Sequence, residues 1–191
     1  DDVEGFDPLF FNLSVREAER MDPQQRLALE NAWHTLEHAG YGRRERHAGR
    51  AVGVFLGTMW NEYSLYAAEQ GYLSGGYGGP GSVYWQIPNR VSYAFDFSGP
   101  SLAIDTACSS SLTAIHLACQ ALRSGDCEMA LAGGVNLSLH PAKYDYLEQG
   151  RFLSSDGRCR SFGADGDGYV PGEGVASVLL KPLSRALADG D

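Results

Sequence analysis

Apolar residues recur with two different periods along this chain, and the first clear pattern is helical. Between residues 22 and 40, three apolar side chains fall on one helical face: Leu29, Trp33 and Leu36. Asp22 is a favourable N-cap, Pro23 follows at the first helical position, and Gln25 is placed to close a capping box. Because Gly40 is a common C-terminal stop, the pattern predicts one helix from Pro23 to about Gly40.

Four short apolar runs predict strands. They cover residues 51–57, 102–106, 129–135 and 175–181. Residues 109–124 predict a helix that Gly125 ends, with four residues on its apolar face: Leu112, Ile115, Cys119 and Leu122. A strand, a helix and a strand at this spacing form a βαβ unit, so we expect a parallel sheet with a right-handed crossover. Shorter helices are predicted at 88–94 and 182–188, and the fold class is α/β.

Residues 58–85 are rich in Tyr, Gly and Ser, which predicts a surface excursion. For its Tyr-rich part at 63–84, folded packing is favoured over an acyl tunnel, a dimer surface or a docking surface. A glycine cluster at 75–81 lies at the centre of the excursion, where we expect a mobile tip. The cluster has no G-K-[ST] ending and no preceding strand, so a loop is favoured over a phosphate cradle.

Composition and charge narrow the function classes. The 191 residues are 43% hydrophobic and 20% charged, enough for one globular domain with a sizeable core. The formal charge of −9 argues against a nucleic-acid or anionic-membrane surface, although a partner could dock on a local basic patch. No apolar run approaches the roughly 20 residues needed to cross a bilayer. We expect a cytoplasmic protein.

The four cysteines lack the patterns of disulfide frameworks and metal sites. No C-x-x-C pair occurs and no histidine stands nearby at metal-ligand spacing, which predicts reduced thiols and no bound metal. Cys119 is expected in the core, and Cys127 and Cys159 in turns without a paired base. Five histidines are expected on the surface or at an interface: His34, His38, His47, His116 and His140. The segment 165–168 lacks the further ligands of an EF-hand and predicts a turn.

Cys108 is the candidate for chemistry. It lies where the second predicted strand turns into the following helix, which is the geometry of a nucleophile elbow. The helix N-terminus presents free N–H groups, which favour a thiolate and could stabilise an oxyanion when that thiolate attacks a carbonyl. A small buried hydrophobic residue is the alternative, and position alone leaves both interpretations open.

The segment Ile104–Leu112, which contains Cys108, resembles the active-site motif of the β-ketoacyl synthase family, especially its polyketide synthase branch. Further segments are similar to family motifs in the family's order: Phe6–Phe11, Met21–Arg26, Ala132–Val135, Asp156–Cys159 and Gly172–Gly174. The sequences of Phe152–Arg158 and Asp167–Gly174 resemble those of the trans-acyltransferase type of modular synthase.

The resemblance implies a thiolase-like fold of two similar βαβ-rich halves, usually in a homodimer. Residues 1–191 would be the N-terminal, nucleophile-bearing half, with the opening strand and the second half outside them. Cys108 would take an acyl group from the phosphopantetheine arm of an acyl carrier protein, with its own backbone N–H in the oxyanion hole. A malonyl unit on another carrier would then lose carbon dioxide and extend the chain. No cofactor bound by the domain itself is implied, and the other domains of the same megasynthase are implied partners.

The same resemblance implies residues that this sequence lacks. Two histidines, in H-G-T-G-T and N-I-G-H motifs, and a lysine complete the family's site from the second half, and neither motif occurs here. Cys108 is the only catalytic residue that carries over. Because decarboxylation needs donors on the developing enolate, we expect these 191 residues alone not to condense. We also expect them to be part of a longer chain.

Several alternatives stay open. A non-elongating ketosynthase keeps the cysteine and only passes the acyl chain on, and the H-G-T-G-T histidine would discriminate it. A decoy subunit of the chain-length-factor type usually lacks the cysteine that is present here. A cysteine hydrolase needs a histidine paired with Cys108 and would release free acid. An interaction module would show no selective labelling of Cys108 by a thiol-reactive acyl mimic.

Overall fold

A computed structural model describes residues 5–42, 48–69 and 82–191. In these ranges the helices are α1 Val15–Arg20, α2 Pro23–His38, α3 Tyr63–Glu69, α4 Gln86–Phe95, α5 Ser110–Ser124, α6 Ala142–Gln149 and α7 Leu183–Asp189. The strands are β1 Val52–Gly57, β2 Ser101–Ile104, β3 Met129–Asn136 and β4 Gly174–Leu180. Every predicted strand and helix is therefore present, with its ends shifted by at most about two residues.

The strands form one sheet in the order β2-β1-β3-β4. β1 pairs in parallel with β2 on one side and with β3 on the other. The predicted βαβ unit of β2, α5 and β3 is thus real, but its two strands are not neighbours, because β1 lies between them. Helix α5 crosses over β1, and contacts both β1 and β3 extensively.

The expectation of a parallel sheet is wrong for β4, which pairs antiparallel with β3. Asn136 at the end of β3 is paired with Gly174 at the start of β4. The segment between the two strands therefore leaves and returns at the same end of the sheet. A parallel arrangement would require a crossover to the opposite end, which this segment does not make.

Helices cover both faces of the sheet and enclose two apolar clusters. Alternate residues of β1 enter different clusters: Val54 and Leu56 pack with α2 and α4, whereas Phe55 packs beneath α5. This division follows from the two-residue period of a strand, which points successive side chains to opposite faces. The continuous burial of β1 explains its unbroken apolar sequence.

The predicted apolar face of α5 is wrong at its first residue. Leu112 is 73% exposed, and the residues buried against the sheet are small: Ser110, Ala114, Ala118 and Ala121. Opposite them lie Ala130 and Ala132 of β3. Small residues on both sides allow the helix to approach the sheet closely, so the larger Ile115 and Leu122 pack only along its flanks.

Three helices were not predicted from the periodicity: α1, α3 and α6. They have eight residues or fewer, too short for a helical period to be distinctive. Helix α3 lies within the predicted surface excursion at 58–85, and Thr58 and Ser82 in this stretch are buried, as folded packing requires. The glycine cluster at 75–81 and its expected mobile tip lie outside the described residues.

The predicted N-cap of α2 and the glycine stops of α2 and α5 are confirmed, but the predicted capping box is not formed, and the Gln25 side chain instead donates to the Gln86 side-chain oxygen at 3.0 Å. The Asp22 carboxylate accepts the N–H of Gln24 at 2.8 Å and caps α2. Gly40 follows the end of α2 and Gly125 ends α5, each with a positive φ that favours glycine. In the part of the chain that the structure describes, no helix is both long and apolar enough to span a membrane.

Candidate active site

Cys108 lies between the end of β2 and the start of α5, and its side chain is exposed. The backbone turns sharply just before it, because Ala107 has a φ of +54°. A non-glycine residue in this left-handed region costs roughly 1–2 kcal/mol, so other contacts must hold it there. The predicted elbow is present in the structure, and its strained residue is the one that precedes the cysteine.

Hydrogen bonds from two side chains hold the turn. The Asp105 carboxylate accepts the N–H of Ala107 at 3.0 Å. The buried Ser110 hydroxyl accepts the N–H of Thr106 at 2.9 Å and donates to the carbonyl of Ala107 at 2.6 Å. Sequence reasoning missed these two roles, because both depend on the exact course of the turn. Both side chains fix the backbone of Thr106 and Ala107, the two residues immediately before Cys108.

Two glycines at the ends of neighbouring strands let the elbow approach the sheet. A Cβ on Gly57 of β1 would lie 2.8 Å from the N atom of Ser111 and 2.9 Å from the carbonyl carbon of Ser110. A Cβ on Gly134 of β3 would lie 3.3 Å from the Cβ of Ser111. The start of α5 therefore rests directly on the carboxyl ends of β1 and β3, which sets the height of Cys108 above the sheet.

The backbone around Cys108 can stabilise a negative charge on the sulfur or on a bound oxyanion. None of the hydrogen bonds found in the described part of the chain uses the N–H of Cys108. Helix α5 has 15 residues, and its N-terminal end begins immediately after Ser109. The positive end of the helix dipole and an unused N–H are the features that stabilise a thiolate or an oxyanion.

Cys108 opens onto a cleft of about 580 Å³ at the carboxyl end of the sheet. The cleft is formed by the ends of β1 and β3, the segment after β1 and the loop before β4, and includes Trp60, Asn136, Lys143 and Tyr169. Burial raises the pKa of Tyr169, and the neighbouring Cys108 adds to the shift. A cleft of this size can accept a small ligand or an acyl chain beside the sulfur.

The other cysteines differ from Cys108. Cys127 is buried, and burial raises the pKa of its thiol. Cys159 is exposed, as expected of a turn, and its sulfur accepts the N–H of Val170 at 3.2 Å. Cys119 is only partly buried on α5, which corrects the expectation of a core position. All four thiols are free, as the sequence predicted.

The structure brings no described histidine to the cleft beside Cys108. His34, His38 and His116 are exposed as expected, and His47 falls outside the described residues. His140 differs, because its side chain is 12% exposed, its Nδ1 accepts the N–H of Ala142 at 3.1 Å, and its Nε2 lies 3.0 Å from a Glu69 oxygen. It anchors the start of α6.

The described residues contain no group of three or more His, Cys, Asp or Glu side chains that could hold a metal ion. Of the segment 165–168, only Asp165 lies in a turn, and residues 166–168 have no regular secondary structure, so the predicted turn is confirmed only at its first residue. Within it the Asp167 carboxylate accepts the N–H of Ser155 at 3.3 Å. Hydrogen bonds from Ser155 lower the pKa of Asp167, so this carboxylate stabilises the loop.

Comparison with known proteins gives consistent matches. The family model described as "Beta-ketoacyl synthase, N-terminal domain" matches residues 1–186. Polyketide synthase PksL of Bacillus subtilis (strain 168) is 58% identical over 199 aligned residues, which cover 100% of this chain and 4% of that protein. Polyketide synthase ThaG of Burkholderia thailandensis is 57% identical over 189 residues, covering 99% of this chain and 3% of that protein.

Solved structures agree with these matches. The oxazolomycin ketosynthase domain OzmH KS7 of Streptomyces albus JA3453 superimposes with a TM-score of 0.94 at 56% identity, covering 100% of this chain and 34% of that one. The ketosynthase from module 6 of the bacillaene synthase of Bacillus subtilis 168 has a TM-score of 0.90 at 42% identity, covering 99% and 32%. The chain thus spans about a third of each ketosynthase structure and a few per cent of each synthase. The thiolase-like α/β fold expected from the sequence is confirmed.

Proposed function

Since this chain belongs to the β-ketoacyl synthase family, within the ketosynthases of polyketide synthases, we propose that it is the nucleophile-bearing half of a ketosynthase domain. Cys108 is its catalytic nucleophile and carries the acyl chain during polyketide extension. One observation carries the proposal: an exposed sulfur follows a strained turn at a helix N-terminus, faces a cleft and has an unused backbone N–H. The match of residues 1–186 to the family's N-terminal domain supports this placement in the nucleophile-bearing half.

The first step is the transfer of an acyl group to Cys108. Its thiolate attacks the carbonyl carbon of an acyl thioester on the phosphopantetheine arm of an acyl carrier protein. The Cys108 N–H stabilises the resulting oxyanion, and the phosphopantetheine thiolate leaves and takes up a proton. The acyl group is then held as a thioester on Cys108. The domain needs no cofactor of its own for this exchange.

The second step forms the new carbon–carbon bond. A malonyl thioester on a carrier protein loses carbon dioxide, and the enolate carbon attacks the carbonyl of the Cys108 thioester. The carbon–sulfur bond breaks and Cys108 returns as the thiolate. In the family, two histidines and a lysine from the second half complete this chemistry. We therefore expect the 191 residues alone not to form the bond.

Three finer features belong to the same proposal. The partners are the acyl carrier protein and the other domains of the megasynthase, and the complete domain is a homodimer. The sequences of Phe152–Arg158 and Asp167–Gly174 favour the trans-acyltransferase type of synthase. The second candidate function is a non-elongating ketosynthase, which performs only the first step, because everything that supports acyl transfer here is shared by both.

The test uses the full-length protein and an acyl thioester, first alone and then with a malonyl-loaded carrier protein. We expect mass spectrometry to locate the acyl group on Cys108 and then to detect an extended product on the carrier. An adduct on another residue, or on none, would overturn the proposal. An adduct on Cys108 that is transferred without loss of carbon dioxide would identify the non-elongating type, and release of free acid would identify a hydrolase.

A further inference from the structure

A lysine is buried in the wall of the cleft that Cys108 opens onto. The Lys143 side chain, on α6, is 2% exposed. Its Nζ donates to the Asn136 side-chain oxygen at 3.0 Å and to the carbonyl of Leu137 at 2.7 Å. Because an ammonium group is strongly hydrated in water, burial at this position requires these partners. Lys143 therefore belongs to a built polar centre rather than to the solvated surface.

The counter-charge of Lys143 is Glu62, which precedes α3. Its Oε1 lies 3.9 Å from Nζ, and its side chain is 6% exposed. Its other oxygen, Oε2, accepts the backbone N–H groups of Leu139 at 2.8 Å and His140 at 3.2 Å. The lysine also stands 5.1 Å from the centre of the Trp60 ring, within cation–π range. One carboxylate and one ammonium thus join the segment after β1 to the segment after β3.

Further hydrogen bonds connect this charged pair to the loop before β4, which forms another side of the cleft. The Asn136 amide, whose oxygen holds Lys143, donates through its nitrogen to the carbonyl of Gly172 at 2.5 Å. Glu173 then accepts the N–H of Ser138 at 2.6 Å. Lys143, Asn136, Gly172 and Trp60 all line the cleft. The charged pair therefore sits at the junction of the segments that form the cleft wall.

Stability alone does not explain a charged pair at this position. Burial lowers the pKa of Lys143, and only the nearby Glu62 and Glu173 oppose that shift. Removing two charges from water is costly, and well-packed apolar residues often replace a buried pair at little or no loss of stability. What apolar residues cannot replace is the directed contact with Asn136 and Leu137 that fixes the end of β3.

We propose that Lys143 and Glu62 are positioning residues that fix the wall of the cleft and thereby determine which acyl chains reach Cys108. This inference rests on the proposed acylation of Cys108. An acetyl group ends one carbon beyond its thioester carbonyl and makes little contact with the wall. A longer acyl chain must lie along the cleft, so its transfer depends on where the wall stands. The pair therefore acts on selectivity between acyl chains rather than on the reactivity of the sulfur.

The experiment compares Lys143→Met, Glu62→Gln and the double variant in the full-length protein. Each single variant strands a buried charge or dipole and is expected to loosen β3 and α6, detected by faster hydrogen exchange of their peptides. The double variant removes both charges together, so its global stability is expected to stay near that of wild type, whereas exchange becomes faster only at the end of β3, where the contacts with Lys143 are lost. This variant separates folding from positioning, even if a single variant fails to fold.

The decisive readout is kcat/KM for acylation of Cys108 by hexanoyl and acetyl thioesters of N-acetylcysteamine. In the double variant we expect the hexanoyl-to-acetyl ratio to fall at least about tenfold, because small displacements of positioning groups have effects of this size. Alkylation of Cys108 by iodoacetamide should stay within about twofold of wild type, since it needs no cleft wall. The exposed pair Arg185 and Glu128, 3.7 Å apart, provides a matched control. The double variant Glu128→Gln, Arg185→Met should leave the ratio unchanged.

The outcomes separate the two proposals. If wild-type Cys108 is acylated and the double variant keeps the wild-type ratio, the pair has only a structural role and the inference is wrong. If the control variant lowers the ratio equally, the effect is not specific to the cleft wall and the inference also fails. If neither thioester acylates Cys108 in the wild type, the proposed function itself fails, and the inference fails with it.

Discussion

Helix α5 has a cysteine near each end, and the two ends give these thiols different surroundings. Cys108 stands just before the N-terminus, is exposed and faces the cleft. Cys127 stands just after the C-terminus and is 4% exposed. An N-terminus presents N–H groups that favour a negative sulfur, whereas a C-terminus presents carbonyl oxygens that disfavour one. The two cysteines beside this helix therefore differ in role: Cys108 is suited to act as a nucleophile, and Cys127 packs in the core.

Electrostatics around Cys127 strengthen this difference. Burial raises the pKa of its thiol, the N–H of Gly53 opposes that shift, and the adjacent Asp126 adds to it. Cys127 also packs in the apolar cluster beneath α5. Position on the helix and access to solvent, rather than the presence of a thiol, thus mark the candidate nucleophile.

The largest expected effect comes from removing each sulfur in turn. Cys108→Ala should abolish acylation by a carrier-bound acyl thioester, because no other thiol stands at the elbow. Cys127→Ala should retain acylation within about threefold, since it removes only a packing group. Discharge of the acyl carrier protein measures both rates in the full-length protein. Equal losses in the two variants would remove the functional distinction between the helix ends.

A smaller effect is expected from two glycines at opposite ends of β1. Gly57→Ala would place a methyl group 2.8 Å from the N atom of Ser111 and should push the start of α5 off the sheet. We expect a loss of about 1–3 kcal/mol of stability and at least tenfold slower acylation.

The matched variant is Gly53→Ala, whose methyl group would meet the Phe55 ring at 2.6 Å and Cys127 at 3.3 Å. It should cost comparable stability, because it also overpacks the core beneath α5. Its acylation rate should stay within about threefold of wild type, since the elbow is at the other end of the strand. Thermal unfolding and single-turnover acylation of the complete ketosynthase domain give the two quantities. Slower acylation in Gly53→Ala would mean that general destabilisation, not elbow position, controls the rate.

Substitution of the two cysteines should affect stability in the opposite order to acylation, with the larger loss at Cys127. Cys127→Ala removes a buried sulfur from an apolar cluster and should cost about 1 kcal/mol. Cys108→Ala removes an exposed side chain and should change the free energy of unfolding by less than about 0.5 kcal/mol. Denaturant unfolding of the complete domain tests both values. A larger cost at Cys108 would indicate that its sulfur is part of the core.

The smallest effect concerns alkaline pH. Because the pKa of Cys127 is raised in the folded protein, its contribution to stability is complete below the unfolded-chain value of about 8.5. As the pH rises above that value, the unfolded chain loses the proton first and stability falls. Wild type should therefore lose more stability than Cys127→Ala between neutral and alkaline pH. Parallel pH profiles of the two proteins would contradict the burial of this thiol.

The sequence was sufficient to predict the elbow because its determinants are local. A strand, a sharp turn and a helix occur within one short segment, and Asp22, Gly40 and Gly125 mark helix ends through contacts with near neighbours. The apolar face of α5 was partly mistaken because a large side chain was expected to be buried. Contact with Ala130 and Ala132 instead selects the small residues of the helix, and that contact is not local.

Other features depend on residues far apart in the chain. The antiparallel direction of β4 follows from the course of the whole segment between β3 and β4, whose one helix, α6, is too short for its apolar period to reveal that course. Glu62 and Lys143 look like ordinary surface charges in the sequence, and only the folded chain brings them together beside the cleft. The short helices α1 and α6 have local capping bonds, from Ser14 and His140, but each is too short for its apolar period to predict it.

The most direct test of the account is the distribution of one acyl group among the four cysteines. The full-length protein would receive less than one equivalent of an isotopically labelled acyl thioester, be quenched after a single turnover, and be digested for quantitative mass spectrometry. We predict on the order of a hundredfold more label on Cys108 than on Cys127, because exposure and the helix N-terminus act together at Cys108. Comparable label on Cys127 or Cys159, or none on Cys108, would contradict the assignment of the nucleophile.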